Sequence, residues 1–322
     1  MNSINHYREE FLAHLKTSIA VKEPRNLYEP IDYILQLGGK RLRPVLTLIA
    51  ADLFGGDYRK ALPAAAAVEV FHNFSLVHDD IMDNASLRRG KATVHQKWNS
   101  NIAILSGDAM LICAYRLLGS YPPETFTALA KLFSKTALEV CEGQQWDMDF
   151  ETQTQVSIPQ YLQMIRYKTA VLVGAALQMG AIIAGTSVEN QELIYDFGVT
   201  IGLAFQLQDD YLDTFGDEDF GKKIGGDILE NKKTILYLKA LALADEAQCN
   251  TLIAQYATTE ENDEKIAIVT QIFRQTGAAE AVRDEITRTT DEALNLLEHI
   301  TISDENRAYL KQFALELMNR KV

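Results

Sequence analysis

The chain has 322 residues, 47% of them hydrophobic and 23% charged, with 7 prolines and a formal net charge of −13 at neutral pH. That length fits one large domain or two ordinary ones, and the composition is globular and mostly helical. The acidic balance excludes a nonspecific nucleic-acid binder, which needs a basic face. Anionic small-molecule substrates stay open, because local placement of cations matters more than their sum.

Apolar residues recur at helical spacing along almost the whole chain. Ile4, Tyr7, Phe11, Leu15 and Ile19 trace the first stripe. Pro44 opens a second helix, apolar from Val45 to Leu53 and stopped by Gly55-Gly56. Pro63 opens a long third helix that runs through Phe71 and Leu76 to Asp79. Helices are expected over 101–118, 124–147, 159–184, 189–213 and 233–244, with three or four more after Asp263. Loops fall at Gly38-Gly39, 86–90, 121–123, 152–158, 216–226 and 258–263, and none reads as a linker. Strand-like alternation is absent at useful length. The expected fold is therefore all-α, a single domain over 1–322. The first nineteen residues lack an apolar signal core, and no run reaches ~18 uncharged apolar residues. A cytoplasmic chain without a membrane span is the expectation. Cys113, Cys141 and Cys249 have no C-x-x-C spacing and read as buried packing residues rather than a disulfide framework.

One acidic pentapeptide occurs twice, as Asp79-Asp80-Ile81-Met82-Asp83 and Asp209-Asp210-Tyr211-Leu212-Asp213. At ordinary Asp usage a chain of this length would show ~0.07 copies of D-D-x-x-D by chance, so two copies ask for a cause. On a helix, Asp79 and Asp83 share a face roughly 6 Å apart with Asp80 on the flank, and Asp209, Asp210 and Asp213 repeat that arrangement. Carboxylates so spaced repel unless something cationic neutralises them. All-oxygen ligation without His or Cys favours Mg²⁺, which keeps waters and bridges a few carboxylates to substrate phosphates.

Basic elements lie beside both motifs. Gly38-Gly39-Lys40-Arg41-Leu42-Arg43-Pro44 puts flexible backbone and three cations just before a helix start, where free N–H groups and the helix dipole favour phosphate. Arg88-Arg89-Gly90-Lys91 follows the first motif, and Lys222-Lys223 and Lys232-Lys233 follow the second. Any one of them can be ordinary surface charge, which is the better reading for a lone pair of lysines. Their repetition beside carboxylate clusters points to a diphosphate.

At these residues the chain resembles the trans-isoprenyl diphosphate synthases, the farnesyl and geranylgeranyl diphosphate synthase family. The matching stretches are GGKRLRP at 38–44, FHNFSLVHDDIMDNASLRRGKATVH at 71–95, GQQWD at 143–147, Lys168-Thr169, and FQLQDDYLDTFGDEDFGKKIGGDILENKKT at 205–234. The resemblance implies a bundle of long helices around a deep cavity, with the two acidic helices facing each other at its mouth. It implies three Mg²⁺ ions holding an allylic diphosphate (dimethylallyl, geranyl or farnesyl) whose C–O bond ionises. The allylic cation then alkylates the double bond of isopentenyl diphosphate, and loss of a proton to the departed diphosphate leaves a chain one C5 unit longer. It also implies a homodimer.

Carried over by position, the metal ligands are Asp79, Asp80, Asp83 and Asp209, with Asp210 and Asp213 in the second cluster, some acting through metal-bound water. Arg88, Lys168, Lys223 and Lys232 resemble the family's allylic-diphosphate cations, with Gln206 directed to the same site. Thr169 either holds a substrate oxygen or bonds its own helix. Lys40, Arg43, His72 and Arg89 resemble its isopentenyl-diphosphate pocket. His72 stands seven residues before Asp79, about 10 Å along the same face. His78 reads as a residue that supports the ligands from behind or packs the helix rather than as a ligand, and Gln144 and Asp147 as either allylic-site or core groups.

In the family, bulk four or five residues before the first Asp limits product length, which here means Ser75 and Phe74. Ser75 lies about 40° from Asp79 on the helical wheel and leaves space, whereas Phe74 lies about 140° away. One aromatic at the fifth position implies a C20 product, with C15 as the alternative. Two other readings share the scaffold. A non-catalytic subunit of a heteromeric synthase would have broken acidic motifs. A terpene cyclase or head-to-head synthase would lack the GGKRLRP loop and the second intact motif.

Overall fold

The computed structural model describes residues 1–216, 224–258 and 262–318. Those residues are about 80% helical, so the all-α expectation holds. In chain order the helices are α1 (Ile4–Ser18), α2 (Arg25–Gln36), α3 (Leu42–Leu53), α4 (Leu62–Met82), α5 (Val94–Lys97), α6 (Ser100–Leu118), α7 (Pro123–Thr152), α8 (Ile158–Ile165), α9 (Val171–Ala184), α10 (Val188–Phe215), α11 (Gly226–Leu229), α12 (Ile235–Leu243), α13 (Glu246–Tyr256), α14 (Asp263–Gln275), α15 (Ala278–His299) and α16 (Asp304–Met318). A two-residue β pairing, Leu87–Arg88 with Lys91–Ala92, closes the loop after α4.

Two compact units emerge, 1–135 with 175–192, and 136–174 with 193–322. In the first, α4 packs along α6 and against α3. The predicted stripe on α1 buries Tyr7, Phe11 and Leu15. α3 buries nearly every side chain from Pro44 to Leu53. The small residues at 175–181 are explained here by close packing. A Cβ on Gly180 would stand 2.2 Å from the carbonyl oxygen of Thr47, so only glycine lets α9 approach α3. α2 was not foreseen, because Pro30 falls inside it. It nevertheless buries Ile31, Ile34 and Leu35, and burying each contributes about 1.5–3 kcal/mol.

In the second unit, Tyr161, Ile165, Leu207, Leu236, Phe273 and Val282 form part of one core built from α8, α10, α12, α14 and α15. Between α8 and α9 the helix widens into a π turn at Arg166–Ala170. Of the cysteines only Cys113 is buried. Cys141 is exposed and Cys249 half-buried, which corrects the expectation that all three are packing residues. Two helical stretches, Ser100–Leu118 and Ile158–Ala184, are long and apolar enough by length and composition to cross a membrane. The second is 61% buried inside the protein, as a core helix would be, against 39% for the first.

Candidate active site

The first acidic motif ends α4, with Asp79 half-buried, Asp80 buried and Asp83 exposed just past the helix. Arg88, on the β pairing, reaches back to it. Its Nε donates to both Asp80 oxygens at 2.9 Å, its Nη2 lies 2.7 Å from Asp80 Oδ1, and the same nitrogen lies 3.8 Å from Asp79 Oδ2. A guanidinium that meets both oxygens is a strong, charge-assisted partner for a buried carboxylate. So the cation foreseen as a diphosphate contact also offsets part of the motif's negative charge.

Two turns up the helix, His72 meets Arg43, whose Nη1 stands 3.2 Å from His72 Nε2. Burial, then Arg43, Arg89, Arg88 and Arg41, hold the imidazole well below its ordinary pKa. A neutral ring accepts from Arg43 through Nε2, which assigns the remaining proton to Nδ1. Lys40 is exposed beside them. Arg89 donates to the Gly38 carbonyl, and a Cβ on Gly39 would stand 2.8 Å from the Arg89 guanidinium, so the glycine makes that approach possible. The structure thus brings Lys40, Arg43, His72 and Arg89 to one end of α3.

Arg41, counted in the sequence as one of three cations placed for phosphate, points inward. Its Nη1 donates to Glu69 and its Nη2 to the Leu35 carbonyl, with side chains 2% and 3% exposed. Its backbone is left-handed (φ 50°, ψ 38°), a conformation that costs a residue with a Cβ about 1–2 kcal/mol. Asn73 completes the cluster, donating to the Glu69 carbonyl at 2.8 Å and to its Oε1 at 2.9 Å. Sequence reasoning missed this group. A lone Glu inside the apolar run of 64–71 was the available signal.

Phe74 is buried, with ring centroids 5.5 Å from Phe71 and 4.8 Å from His78. Phe71 in turn meets Phe133 at 5.2 Å. Ser75 bonds the His72 carbonyl at 2.8 Å. His78 packs as expected: its Nε2 sits 3.2 Å from the Ile104 carbonyl, in space left by Gly107, where a Cβ would stand 2.3 Å from that nitrogen.

In the second unit, Lys168 and Thr169 lie on the π turn, a feature that often marks functional segments. Lys168 Nζ is 2.5 Å from Asp147 Oδ2, which gives Asp147 an ionic role at the site. Thr169 donates to Gln206 Oε1 at 3.1 Å, and Gln206 Nε2 donates to Asp210 Oδ1 at 3.0 Å. The other oxygen of Asp210 accepts from the buried Tyr161 hydroxyl. Burial and the neighbouring Asp227 push Asp210 up to about 8, against the opposing pull of the two hydrogen bonds. Tyr161 was not singled out in the sequence, where nothing but a core aromatic is visible. Asp213 Oδ2 accepts from the Asp227 backbone N–H at 3.0 Å. Asp209 is half-buried on α10.

Lys232 is paired with Glu230 at 2.6 Å and with Asp227 at 3.7 Å. Lys233 is engaged by backbone. Its Nζ caps the end of α7, donating to the carbonyls of Phe150 (2.7 Å), Glu151 (3.2 Å) and Gln153. Lys222 and Lys223 lie outside the described residues.

Among the described residues, no group of three or more His, Cys, Asp or Glu side chains forms a ready-made metal cage. The donors still fit Mg²⁺, which takes one or two carboxylates and completes its shell with water and substrate phosphate. Both motifs offer only carboxylate oxygens.

A family model described as polyprenyl synthetase matches residues 24–273. The geranylgeranyl pyrophosphate synthase of Geoglobus acetivorans is 38% identical over 93% of this chain and 92% of its own. A short chain isoprenyl diphosphate synthase of Methanothermobacter thermautotrophicus is 36% identical over 98% of each chain. A crystal structure of a geranylgeranyl pyrophosphate synthase matches with a TM-score of 0.96 at 54% identity, covering 100% of both chains.

Proposed function

The chain belongs to the polyprenyl synthetase family, and from that premise we propose that it condenses an allylic diphosphate head to tail with isopentenyl diphosphate. The product is a short-chain trans-prenyl diphosphate, C20 in preference to C15. The observation that carries this reading is α4 itself. α4 bears His72, paired with Arg43 of α3, and, about 10 Å further along, the Asp79–Asp80 pair held by Arg88.

In the first unit, Lys40, Arg43, His72 and Arg89 take the diphosphate of isopentenyl diphosphate. A neutral His72 donates a hydrogen bond without adding repulsion among the arginines. Arg88 is assigned an allylic-diphosphate contact. In the second unit, Lys168, Thr169, Gln206, Lys223 and Lys232 are assigned to the allylic diphosphate. Asp79, Asp80 and Asp83, and in the second unit Asp209, Asp210 and Asp213, would hold three Mg²⁺ ions, which would stabilise the charge on a departing diphosphate. Apolar neighbours such as Phe71 and Phe74 keep water from the carbocation.

Incubating pure protein with Mg²⁺, labelled isopentenyl diphosphate and each allylic primer in turn tests the reading. Label is expected in a C20 diphosphate, and a chelator is expected to abolish it. No incorporation with any primer would defeat the proposal. Neither the non-catalytic subunit nor the cyclase is favoured: both acidic motifs and the GGKRLRP loop are intact, and the relatives are named as synthases.

The C20 assignment rests on relatives named for geranylgeranyl products and on the bulk of Phe74. Phe74→Ala is expected to shift the product distribution toward longer chains, read by mass spectrometry of the hydrolysed products. An unchanged distribution removes Phe74 from chain-length control. A cytoplasmic homodimer is the assembly we favour. α6 exposes Ile104, Leu105 and Ile112 (43%, 60% and 60%), an apolar face suited to a second copy. Sedimentation velocity on the same preparation checks it, and a monomer at micromolar concentration would count against it.

A further inference from the structure

The cluster Arg41–Glu69–Asn73 joins the two elements that carry the isopentenyl-diphosphate residues, yet none of its members belongs to that set. Arg41 is the residue between Lys40 and Leu42-Arg43, and it precedes α3 in the left-handed region that backbone sterics disfavour for any residue but glycine. Two buried contacts hold it there. One guanidinium nitrogen is bonded to Glu69 and another to the Leu35 carbonyl, both out of contact with water.

Glu69 and Asn73 bracket His72 on α4, and the Asn73 amide grips both the backbone and the side chain of Glu69. Turning Arg41 out of the left-handed region would redirect Lys40 and shift the entry of α3, and with it Arg43. We propose that this buried ion pair is the positioning element of the isopentenyl-diphosphate pocket. It sets Lys40 and Arg43 against His72, and its purpose is geometry rather than stability of the core. The inference rests on the function proposed above.

The two purposes predict different results when the pair is replaced rather than broken. Apolar side chains of similar volume commonly substitute for a buried ion pair with no loss of stability. The double variant Arg41→Met with Glu69→Leu is therefore expected to keep its unfolding midpoint. By calorimetric titration it is expected to bind isopentenyl diphosphate ~10-fold or more weakly while binding geranyl diphosphate with Mg²⁺ within ~2-fold of wild type, since small misplacements of binding groups are costly.

Equal binding of isopentenyl diphosphate by wild type and double variant overturns the positioning role and leaves the proposed reaction standing. Failure of the wild type itself to bind isopentenyl diphosphate removes the pocket, and this inference with it. Should the double variant not fold, Glu69→Gln decides, because it keeps the shape and the acceptor for Asn73 while removing the charge. It is expected to weaken isopentenyl diphosphate selectively. Equal weakening of both diphosphates, or of neither, overturns the proposal.

Discussion

Asp80→Asn is expected to lower turnover by about 10³-fold, roughly 4 kcal/mol of transition-state stabilisation. The residue is buried, and both its oxygens meet Arg88. The substitution keeps shape and volume but removes the negative charge that answers Arg88 and that would draw a divalent cation. Two effects then add: the acidic end of α4 loses one of its three negative charges while Arg88 keeps its positive one, and the affinity of the motif for Mg²⁺ drops. Folding should suffer less, by about 1–3 kcal/mol, the ordinary consequence of leaving a charged donor poorly partnered. Arg88 retains Asp79 within 3.8 Å and is 23% exposed, so it is not stranded.

The KM for isopentenyl diphosphate should change little, because His72, which holds Arg43, lies about 12 Å away along α4. Steady-state kinetics over a Mg²⁺ series separates these terms. Turnover within tenfold of wild type at saturating Mg²⁺ would take Asp80 out of the metal-binding role. A raised KM for isopentenyl diphosphate at unchanged turnover would move it to the other substrate.

Why Asp80 was legible in the sequence, and Glu69 was not, is a matter of what each side chain must satisfy. Clustered carboxylates repel, so a repeated D-D-x-x-D announces a cation whatever surrounds it. A single Glu on α4 gives no such signal, and neither does a single Arg in a run of three cations. Their pairing depends on two residues 28 apart in the chain, one just before α3 and one on α4, being brought together by the packing of those helices. The long helices were readable because their apolar faces repeat every 3.6 residues. α2 was not, since Pro30 removes a donor inside it and tertiary burial of Ile31, Ile34 and Leu35 overrides that loss. Lys233 was read with its neighbour Lys232 as a phosphate cation. Its real partners are backbone carbonyls 80 residues and more earlier in the chain, which no local pattern encodes.

The π turn behind Lys168 was likewise invisible, and it sets up the second large effect, that of Gly143→Ala. A Cβ at this α7 position would stand 2.3 Å from the backbone nitrogen of Lys168 and 2.8 Å from the carbonyl carbon of Tyr167. Both are backbone atoms, so no rotamer change relieves the overlap. The neighbouring stack of Trp146 on Tyr167, centroids 5.3 Å apart, blocks a simple sideways shift. Overpacking of this kind costs about 1–3 kcal/mol. The π turn absorbs it by moving, and Lys168 moves with it, away from Asp147 and from the place where it would meet a diphosphate.

The expected outcome of Gly143→Ala is a lowered unfolding midpoint together with a rise of ~10-fold or more in the KM for the allylic diphosphate. The KM for isopentenyl diphosphate should be nearly unchanged, since Lys40, Arg43 and His72 are assigned to the other unit. Lys168→Met serves as the comparison: it removes the same cation without displacing backbone. If both variants raise the allylic KM but only Gly143→Ala destabilises, the glycine acts by placing Lys168. If Gly143→Ala destabilises and leaves both KM values at wild type, the close approach is a packing contact and the π turn has no share in substrate binding.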